Sequence, residues 1–381
     1  MYKKKLLVAT DTYPPKIDGV TRFLKKTIPS LTEEYETTII APGFREEQEP
    51  IGKARLVCLK TSEKLKMAGY SSIRPSLKNL KKIKMLVKGS DIIFTQDLAA
   101  IGALSIYYGK KYKKPVITYV HQITWEQAVD VFSIPNSIKN ILSKFIRKIV
   151  LHLYNKCSLL LLPYKKLASE LVAKGVYSPM KVLHLGVDTE RFIPPENKEK
   201  AKENINIPPD YKVIGYCGRL SNEKNLETLT EAYKEMKKTY KKIFLLIVGS
   251  GTEAEKSIFK DIPHMKITGF RKDVVPYYQA MDIFVMPSLT ETTSLATLEA
   301  MSCSLTVVAT KVGYIPDYIQ DRVNGFFFPK RNSFALRKKL EVLIKNNLQR
   351  QEIGKLARNT IIKRFSWEKT RQSLKKTLER F

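Results

Sequence analysis

Cysteine and histidine are scarce in this chain, which has four residues of each among 381. The cysteines are Cys58, Cys157, Cys217 and Cys303. Because they are scattered and never closely paired, we expect reduced thiols in a cytosolic protein rather than a disulfide framework. The histidines show no ligand spacing, so a metal site built from cysteine and histidine is not expected.

Long apolar runs are also missing. The segment Met1–Thr10 carries three lysines and then a short apolar run, which is typical of a first strand rather than of a signal peptide. One of the longest runs, Ile243–Val248, has the length of a buried strand and falls far short of the roughly 20 residues of a membrane span. We therefore expect a protein that is soluble or peripheral to a membrane.

Acidic residues are sparse: the chain has 37 of them against 67 lysines and arginines, which gives a net charge of +30. Such a charge indicates a polyanionic partner: nucleic acid, a membrane surface or phosphorylated substrates. The alternative is a lysine-rich proteome whose protein surfaces are all basic. A hydrophobic content of 43% is that of a globular protein, and the length suffices for two domains.

What the chain does contain is a series of strand–helix units. In the segment 282–309 an apolar run, Ile283–Met286, precedes a polar turn, a helix predicted over Leu295–Met301 and a second strand, Thr306–Ala309. This is the βαβ unit of a parallel sheet, in which ligands bind at the carboxyl ends of the strands. Glu291 lies there, and Glu299 follows eight residues later. The alternative is that both carboxylates merely complement a helix dipole.

A second unit begins with the predicted strand Val213–Cys217 and continues as Gly-Arg-x4-Lys-Asn, which contains Arg219 and Lys224. Arginine binds phosphate oxygens with its planar fork and lysine acts as a point charge. A Gly-x-Gly turn starts at Gly249 but lacks a third glycine. A nicotinamide-dependent oxidoreductase would need the complete motif after the first strand, so that class is disfavoured.

Two features of the amino-terminal half are candidates for a site. A strand predicted over Lys5–Ala9 is followed by a turn-rich loop that reaches Gly19 before a helix. The predicted strand Val116–Val120 ends at His121, which is well placed for a site, although a single histidine is more often structural. Glu126, which follows shortly after His121, is a weaker candidate for a site residue.

Taken together, these motifs resemble the retaining nucleotide-sugar glycosyltransferases of GT-B architecture, family-four type (glycosyl transferases group 1). The resemblance rests on Pro-Ser-x-x-Glu-x7-Glu-Ala-Met from Pro287, on the Gly-Arg-x4-Lys-Asn loop and on the heptapeptide 186–192, which matches the family's interdomain signature. It implies an α/β fold of two Rossmann-like domains that face each other across a cleft. The expected domains are 1–190, which binds the acceptor and includes a crossing-back helix 366–381, and 191–365, which binds the donor.

The resemblance also implies roles for single residues, without a metal or other cofactor. Arg219 and Lys224 would clamp the donor diphosphate, Glu291 would contact the transferred sugar, and Glu299 would hold the ribose. His121 would lie near the reacting sugar, so His121, Glu291, Arg219 and Lys224 are the catalytic candidates. The remaining donor-binding candidates are Gly19, Gly269, Phe270, Ser294 and Leu295. The turn Thr-Thr-Ser-Leu after Glu291 replaces the usual Gly-Phe-Gly-Leu and looks more like the glycolipid-forming members.

Two stretches, 64–90 and 131–169, carry eight and seven basic residues and no acidic residue. Apolar residues at helical spacing lie among these charges, which is the pattern of an interfacial helix. The alternative is an ordinary amphipathic helix that packs into the core. We therefore predict a lipid or lipid-linked acceptor at an anionic, cytoplasmic membrane surface, with a soluble polysaccharide or small-molecule acceptor as the alternative. A nucleic-acid-binding protein would need a recognised binding module, and none is found.

Overall fold

The protein was studied as a computed structural model that describes residues 3–16, 18–44, 47–67, 70–96, 98–121 and 136–381, with the backbone alone given for 63–67, 70–71 and 136–140. The chain forms two compact units. The first comprises residues 1–184 and 370–381, and the second comprises residues 185–369. Each unit is built on its own parallel sheet.

The first unit contains a seven-stranded sheet in the order β3-β2-β1-β6-β7-β8-β9, and a separate hairpin formed by β4 and β5. Its strands are β1 (Lys5–Ala9), β2 (Glu36–Pro42), β3 (Arg55–Leu59), β4 (Thr61–Met67), β5 (Tyr70–Ile73), β6 (Ile92–Thr95), β7 (Val116–Tyr119), β8 (Leu159–Leu162) and β9 (Met180–Val182). Its helices are α1 (Gly19–Leu31), α2 (Leu77–Lys88), α3 (Ala100–Lys111), α4 (Asn136–Tyr154) and α5 (Lys165–Ala173). The central strands are buried apolar runs, as expected of a parallel sheet covered on both faces.

The second unit contains a six-stranded sheet in the order β12-β11-β10-β13-β14-β15. Its strands are β10 (Lys212–Cys217), β11 (Ile243–Val248), β12 (Met265–Ile267), β13 (Ile283–Met286), β14 (Thr306–Thr310) and β15 (Phe326–Phe328). Its helices are α6 (Lys198–Glu203), α7 (Leu226–Thr239), α8 (Glu253–Ser257), α9 (Val275–Ala280), α10 (Leu295–Ser302), α11 (Ile315–Tyr318), α12 (Ser333–Lys345) and α13 (Asn347–Arg364). The last helix, α14 (Trp367–Leu378), begins in the second unit and ends in the first.

Both sheets have a point at which the strand order reverses. In the first sheet β1 lies between β2 and β6, and in the second β10 lies between β11 and β13. Because the chain leaves these neighbouring strands in opposite directions, a crevice opens at their carboxyl ends, where ligands of open α/β sheets bind. The predicted α/β fold with two parallel-sheet domains is therefore confirmed, and the candidate site residues can be located relative to these two crevices.

The boundary between the units differs slightly from the sequence-based prediction at residues 190 and 366. The segments 185–190 and 366–369 lie with the second unit because their backbones bind each other. The amide of Val187 donates to the carbonyl of Phe365 at 2.7 Å, and the amide of Trp367 donates back to the carbonyl of Val187 at 3.1 Å. Gly186 fits this contact because a Cβ there would overlap the backbone of Trp367.

The first basic stretch differs from the helical pattern predicted for it. Its beginning forms part of the β4–β5 hairpin, and only Leu77–Lys88 is helical. Two residues of the predicted membrane-facing stripe, Ile83 and Val87, are fully buried in the core of the first unit. At these two positions the ordinary amphipathic alternative therefore holds, whereas Leu77, another residue of the predicted stripe, is 85% exposed.

Candidate functional site

Arg219 and Lys224 lie in the loop that leaves β10 at the carboxyl edge of the second sheet. The side chain of Arg219 is 83% exposed and lies 3.6 Å from the Glu223 carboxylate. Lys224 ends a short 3₁₀ turn, and its side chain is 15% exposed. The loop therefore presents one solvent-exposed cation and one largely buried cation.

The second crevice brings Lys224 and Glu291 together, although they are 67 residues apart in sequence. The ammonium of Lys224 donates to Oε1 of Glu291 at 2.8 Å, and the hydroxyl of Ser288 donates to the same oxygen at 2.8 Å. The Glu291 side chain is 8% exposed. Its carboxylate therefore has a fixed position at the carboxyl end of β13, beside the loop from β10.

The loop after β14 supports the backbone of this turn. Gly313 has a φ of +52°, and a Cβ there would overlap the carbonyl oxygen of Glu291. The amide of Tyr314 donates to the carbonyl of Thr292 at 2.9 Å. Glycine is required at position 313 because the two loops approach each other without room for a side chain.

Glu299 lies inside the unit on α10 and is buried. Its Oε2 accepts a hydrogen bond from the hydroxyl of Tyr278 at 3.1 Å. Burial raises the pKa of the Tyr278 phenol well above its usual value, so this phenol remains a donor across the physiological pH range. The same burial raises the pKa of the neighbouring Cys217 thiol to about 12.

The amino terminus of α10 begins at Ser294 and Leu295, which were predicted to face phosphate. Ser294 has a φ of +48°, at the position where the resembled family has a glycine. Its hydroxyl lies 2.7 Å from that of Thr297 and does not cap the helix. The first turn therefore lacks a side-chain cap from Ser294, and its amides are oriented as in a helical anion site.

Gly269 and Phe270 follow β12 at the same edge of the sheet. Gly269 pairs with Gly249, the residue after β11, and the Phe270 side chain is 72% exposed. Gly249 in turn lies against the carbonyl of Gly218, which a Cβ would overlap. Three glycine-containing turns thus lie side by side along this edge and leave the backbone accessible.

In the first unit, Gly19 is the first residue of α1, directly after the loop from β1. Among the described residues, and apart from the neighbouring backbone of the helix, no atom lies within 4 Å of the position that a Cβ would occupy there. The preceding Asp18 caps the helix by accepting from the amide of Thr21 at 2.8 Å, and it also accepts from the hydroxyl of Thr12. The Asp-Gly pair therefore fixes the start of the helix and leaves open space beside it.

His121 follows β7 and is half-buried between aromatic rings. Its ring centroid lies 4.5 Å from that of Tyr119 and 5.5 Å from that of Phe23. Its Nε2 lies 3.1 Å from Oε1 of Gln96, the residue after β6. Burial lowers the pKa of His121 to about 3, against a smaller opposing effect of the Asp18 carboxylate, so the imidazole is neutral at physiological pH.

Sequence reasoning did not identify Ser288, Gly313 or Gln96. Ser288 belongs to the Pro-Ser-x-x-Glu motif and could have been found there, because a serine three residues before a glutamate in a turn is a common partner. Gly313 and Gln96 carry no local signal, since their neighbours are distant in sequence. Glu126 lies outside the described residues. Within the described ranges, no group of three or more His, Cys, Asp and Glu side chains is arranged to hold a metal ion.

The fold and this arrangement define a class of protein: a two-domain α/β enzyme with GT-B architecture. Residues 197–360 match the family described as Glycosyl transferases group 1, and residues 17–191 match Glycosyltransferase Family 4. The chain belongs to the glycosyltransferases of this group 1, family-four type.

Several curated proteins are similar in sequence. A sulfoquinovosyl transferase of Arabidopsis thaliana is 29% identical over 288 residues, which are 73% of this chain and 54% of the plant protein. An alpha-monoglucosyldiacylglycerol synthase of Acholeplasma laidlawii is 24% identical over 357 residues, 86% of this chain and 85% of the synthase. A D-inositol 3-phosphate glycosyltransferase of Streptomyces bingchenggensis is 26% identical over 53% of this chain and 48% of its own length. The chain thus spans only about half the length of two of these three relatives.

Solved structures share the fold over the whole chain. The Anabaena protein HepE in complex with UDP has a TM-score of 0.76 at 17% identity, covering 99% of this chain and 100% of HepE. Sucrose-phosphate synthase of Thermosynechococcus elongatus has a TM-score of 0.73 at 16% identity, covering 100% of this chain and 99% of the synthase. At these identities the likeness concerns the fold.

Proposed function

We propose that the protein is a retaining glycosyltransferase that moves a hexose from a nucleoside-diphosphate sugar to a lipid or lipid-linked acceptor at the cytoplasmic membrane face. The donor binds the second unit, and no metal or other cofactor takes part. The observation that carries the donor assignment is the contact of Lys224 with Glu291 at the crevice between β10 and β13. It joins a group suited to phosphate and a group suited to a sugar.

The cations stabilise the leaving group. When the bond between the anomeric carbon and the phosphate oxygen breaks, its electron pair stays on the diphosphate, where Arg219 and Lys224 offset the added negative charge. An ammonium has three N–H donors, so Lys224 can bind Glu291 and a phosphate oxygen at the same time. The uncapped first turn of α10 adds amide donors.

Glu291 and Glu299 act on different parts of the donor. The Glu291 carboxylate lies beside the phosphate-binding cation and contacts the transferred sugar, whose anomeric carbon gains positive character. The buried Glu299, oriented by Tyr278, holds the ribose hydroxyls. The acceptor hydroxyl attacks from the face that the diphosphate leaves, forms the new carbon–oxygen bond and gives its proton to the departing phosphate. This route retains the anomeric configuration.

Support for a lipid acceptor comes from α4. One face of this helix packs into the core through Val150, Leu153 and Tyr154. A second apolar stripe, formed by Ile141, Phe145 and Ile149, is 71%, 61% and 44% exposed. Residues four apart lie on one helical face, so these three side chains form a continuous apolar surface.

Basic residues flank this stripe. Lys144, Arg147 and Lys148 are exposed on α4, and the second acid-free stretch, 131–169, contains the whole helix. An exposed apolar stripe beside lysines is the pattern of a helix that lies in the interface of an anionic membrane. In the part of the chain that the structure describes, no helix combines the length and the apolar character that a membrane span needs. The names of two relatives, a sulfoquinovosyl transferase and a monoglucosyldiacylglycerol synthase, also favour a glycolipid product.

The test is a donor screen followed by an acceptor screen. Purified protein is incubated with a panel of nucleoside-diphosphate sugars, and release of nucleoside diphosphate is measured with and without vesicles that contain diacylglycerol or a lipid-linked sugar. We expect release from one donor class, strongly increased by a lipid acceptor, and a product whose anomeric configuration by NMR equals that of the donor. Stimulation only by soluble saccharides would favour the soluble-acceptor alternative, and an inverted product would contradict retention.

A further inference from the structure

Gln96 occupies a central position in the first unit. It follows β6 directly, and its amide donates to the carbonyl of Ala9 in β1 at 3.0 Å, so it lies at the crevice where the strand order reverses. Its side chain is fully buried. A buried polar side chain at this place is a candidate for a role in ligand binding, because an apolar side chain of the same size would cover the core at a lower cost.

The two ends of the Gln96 amide are in different situations. Oε1 lies 3.1 Å from Nε2 of His121, whereas Nε2 of Gln96 is buried and has no hydrogen-bond partner among the residues that the structure describes. Leaving a buried amide nitrogen without a partner costs stability. Among the described residues, the side chain of Gln96 therefore has one hydrogen-bond contact, the contact with His121.

Packing constrains the orientation of the imidazole ring of His121. Tyr119 and Phe23 contact the ring and fix its plane. Among the described residues, the ionisable groups beside it are Asp18, before the first residue of α1, and the phenol of Tyr119, and Lys16 lies 3.5 Å from Asp18. Burial raises the pKa of Tyr119 well above its usual value and lowers that of His121 to about 3, so both are neutral at physiological pH. What the packing leaves undetermined is which ring nitrogen carries the proton.

We propose that Gln96 is a positioning residue that holds His121 in the tautomer protonated at Nε2, leaving Nδ1 as a hydrogen-bond acceptor for a substrate hydroxyl. As acceptor for Nε2–H, the Gln96 carbonyl favours this tautomer over the other. The imidazole then orients a hydroxyl but does not act as a general base, since its conjugate acid is far too acidic for proton transfer near neutral pH. The substrate part of this inference rests on the proposed function.

The tautomer can be measured directly, because the chain has only four histidines. Long-range ¹H–¹⁵N spectra of histidine-labelled protein distinguish the two neutral tautomers and the imidazolium, and His121→Asn assigns the signal of His121. We expect the Nε2-protonated tautomer in the wild type, with no titration between pH 5 and 8. A signal from the Nδ1-protonated tautomer, or a titration near pH 6.5, would overturn the proposal.

Two substitutions at position 96 separate positioning from structure. Gln96→Met keeps the volume and removes the acceptor, so we expect a mixture of tautomers and a turnover about 3- to 10-fold lower, the effect of one hydrogen bond. Gln96→Glu places a carboxylate beside the ring and favours the imidazolium. Its activity is then lowest at acidic pH, where Nδ1 is protonated, and recovers as the pH rises through the raised pKa of His121.

The matched control is Gln48→Met, a half-buried glutamine of the same unit that binds the carbonyls of Pro14 and Pro42. We expect it to lower stability without changing the tautomer of His121. If Gln96→Met also leaves the tautomer unchanged, Gln96 has only a structural role. Since the spectra do not depend on turnover, absence of transfer from every donor would count against the proposed function, while the tautomer result would still decide the positioning role.

Discussion

At the residue scale, Arg219 and Lys224 share a loop but have different surroundings, and variants will separate binding from stability. We expect Arg219→Ala and Lys224→Ala each to lower transfer by roughly 30- to 1000-fold, since each loses a charge-assisted contact to phosphate. Only Lys224→Ala should also destabilise the fold, by about 1.5–3 kcal/mol, because it leaves the largely buried Glu291 carboxylate without its cation. Donor turnover and denaturant unfolding measure the two effects.

The control for this pair is Lys238→Ala, since Lys238 is 71% exposed on α7 and pairs with the exposed Glu235 one turn away. It should change neither turnover nor stability beyond about 0.5 kcal/mol. Normal turnover in both loop variants would contradict the assignment of this loop to the diphosphate.

The two glutamates should give opposite kinetic phenotypes. Glu299→Gln is expected to raise the Michaelis constant for the donor, since a ribose contact is made equally in the ground state and the transition state. Glu291→Gln is expected mainly to lower turnover, because the developing charge on the sugar exists only in the transition state. Steady-state kinetics with the donor identified by the screen distinguish them. If turnover falls in the Glu299 variant and the Michaelis constant rises in the Glu291 variant, the two roles are exchanged.

At the scale of elements, the loop after β14 is expected to position the turn after β13. Gly313→Ala should lower turnover as well as stability, because the added Cβ displaces the carbonyl of Glu291. The matched control is Gly175→Ala after α5, where φ is also positive, at +96°, but where no atom of the described residues, apart from the chain neighbours, lies within 4 Å of the added Cβ. It should cost only the roughly 1–2 kcal/mol of a left-handed backbone and leave turnover unchanged.

Measurement of both glycine variants by denaturant unfolding and by donor turnover separates backbone strain from displacement of the site. Equal turnover in the two variants would mean that the position of the Glu291 backbone does not matter for transfer.

At the scale of the whole molecule, the net charge of +30 and the exposed stripe on α4 predict that the protein binds anionic membranes. We expect cosedimentation with anionic vesicles that weakens at high salt, since each basic residue near the surface contributes about 1 kcal/mol and is screened by ions. Replacing Ile141, Phe145 and Ile149 by serine should weaken binding at low and at high salt alike, because the apolar contribution is not screened.

The control uses two exposed apolar residues of α12 in the second unit, Phe334 and Val342, and replaces both by serine. This variant should bind vesicles like the wild type. Vesicle binding that does not depend on lipid charge and salt concentration, or the absence of binding, would contradict a membrane-bound acceptor and favour a soluble acceptor.

The sequence alone determined the fold class and the order of the elements, because the signals for these are local. The short apolar run within Lys5–Ala9 is typical of a buried strand, and it forms β1. The helix α10 begins where the polar turn after β13 ends. Local signals also locate the candidate residues on the loops, because Arg219, Lys224 and Glu291 lie in the loops that leave apolar strands. Their position at the carboxyl edge of a parallel sheet follows from that alone.

The tertiary structure decided which of these residues meet and which surfaces stay exposed. The stripes of α2 and α4 look alike in sequence, but Ile83 and Val87 belong to the buried core of the first unit, whereas Ile141 and Phe145 remain exposed. The spacing of apolar residues in the sequence indicates that a helix has an apolar face, but it does not indicate what that face contacts. The contact of Gln96 with His121 likewise depends on the pairing of β6 with β7, and no signal near position 96 predicts it. Contacts between distant segments are set by strand order, which is a property of the folded chain.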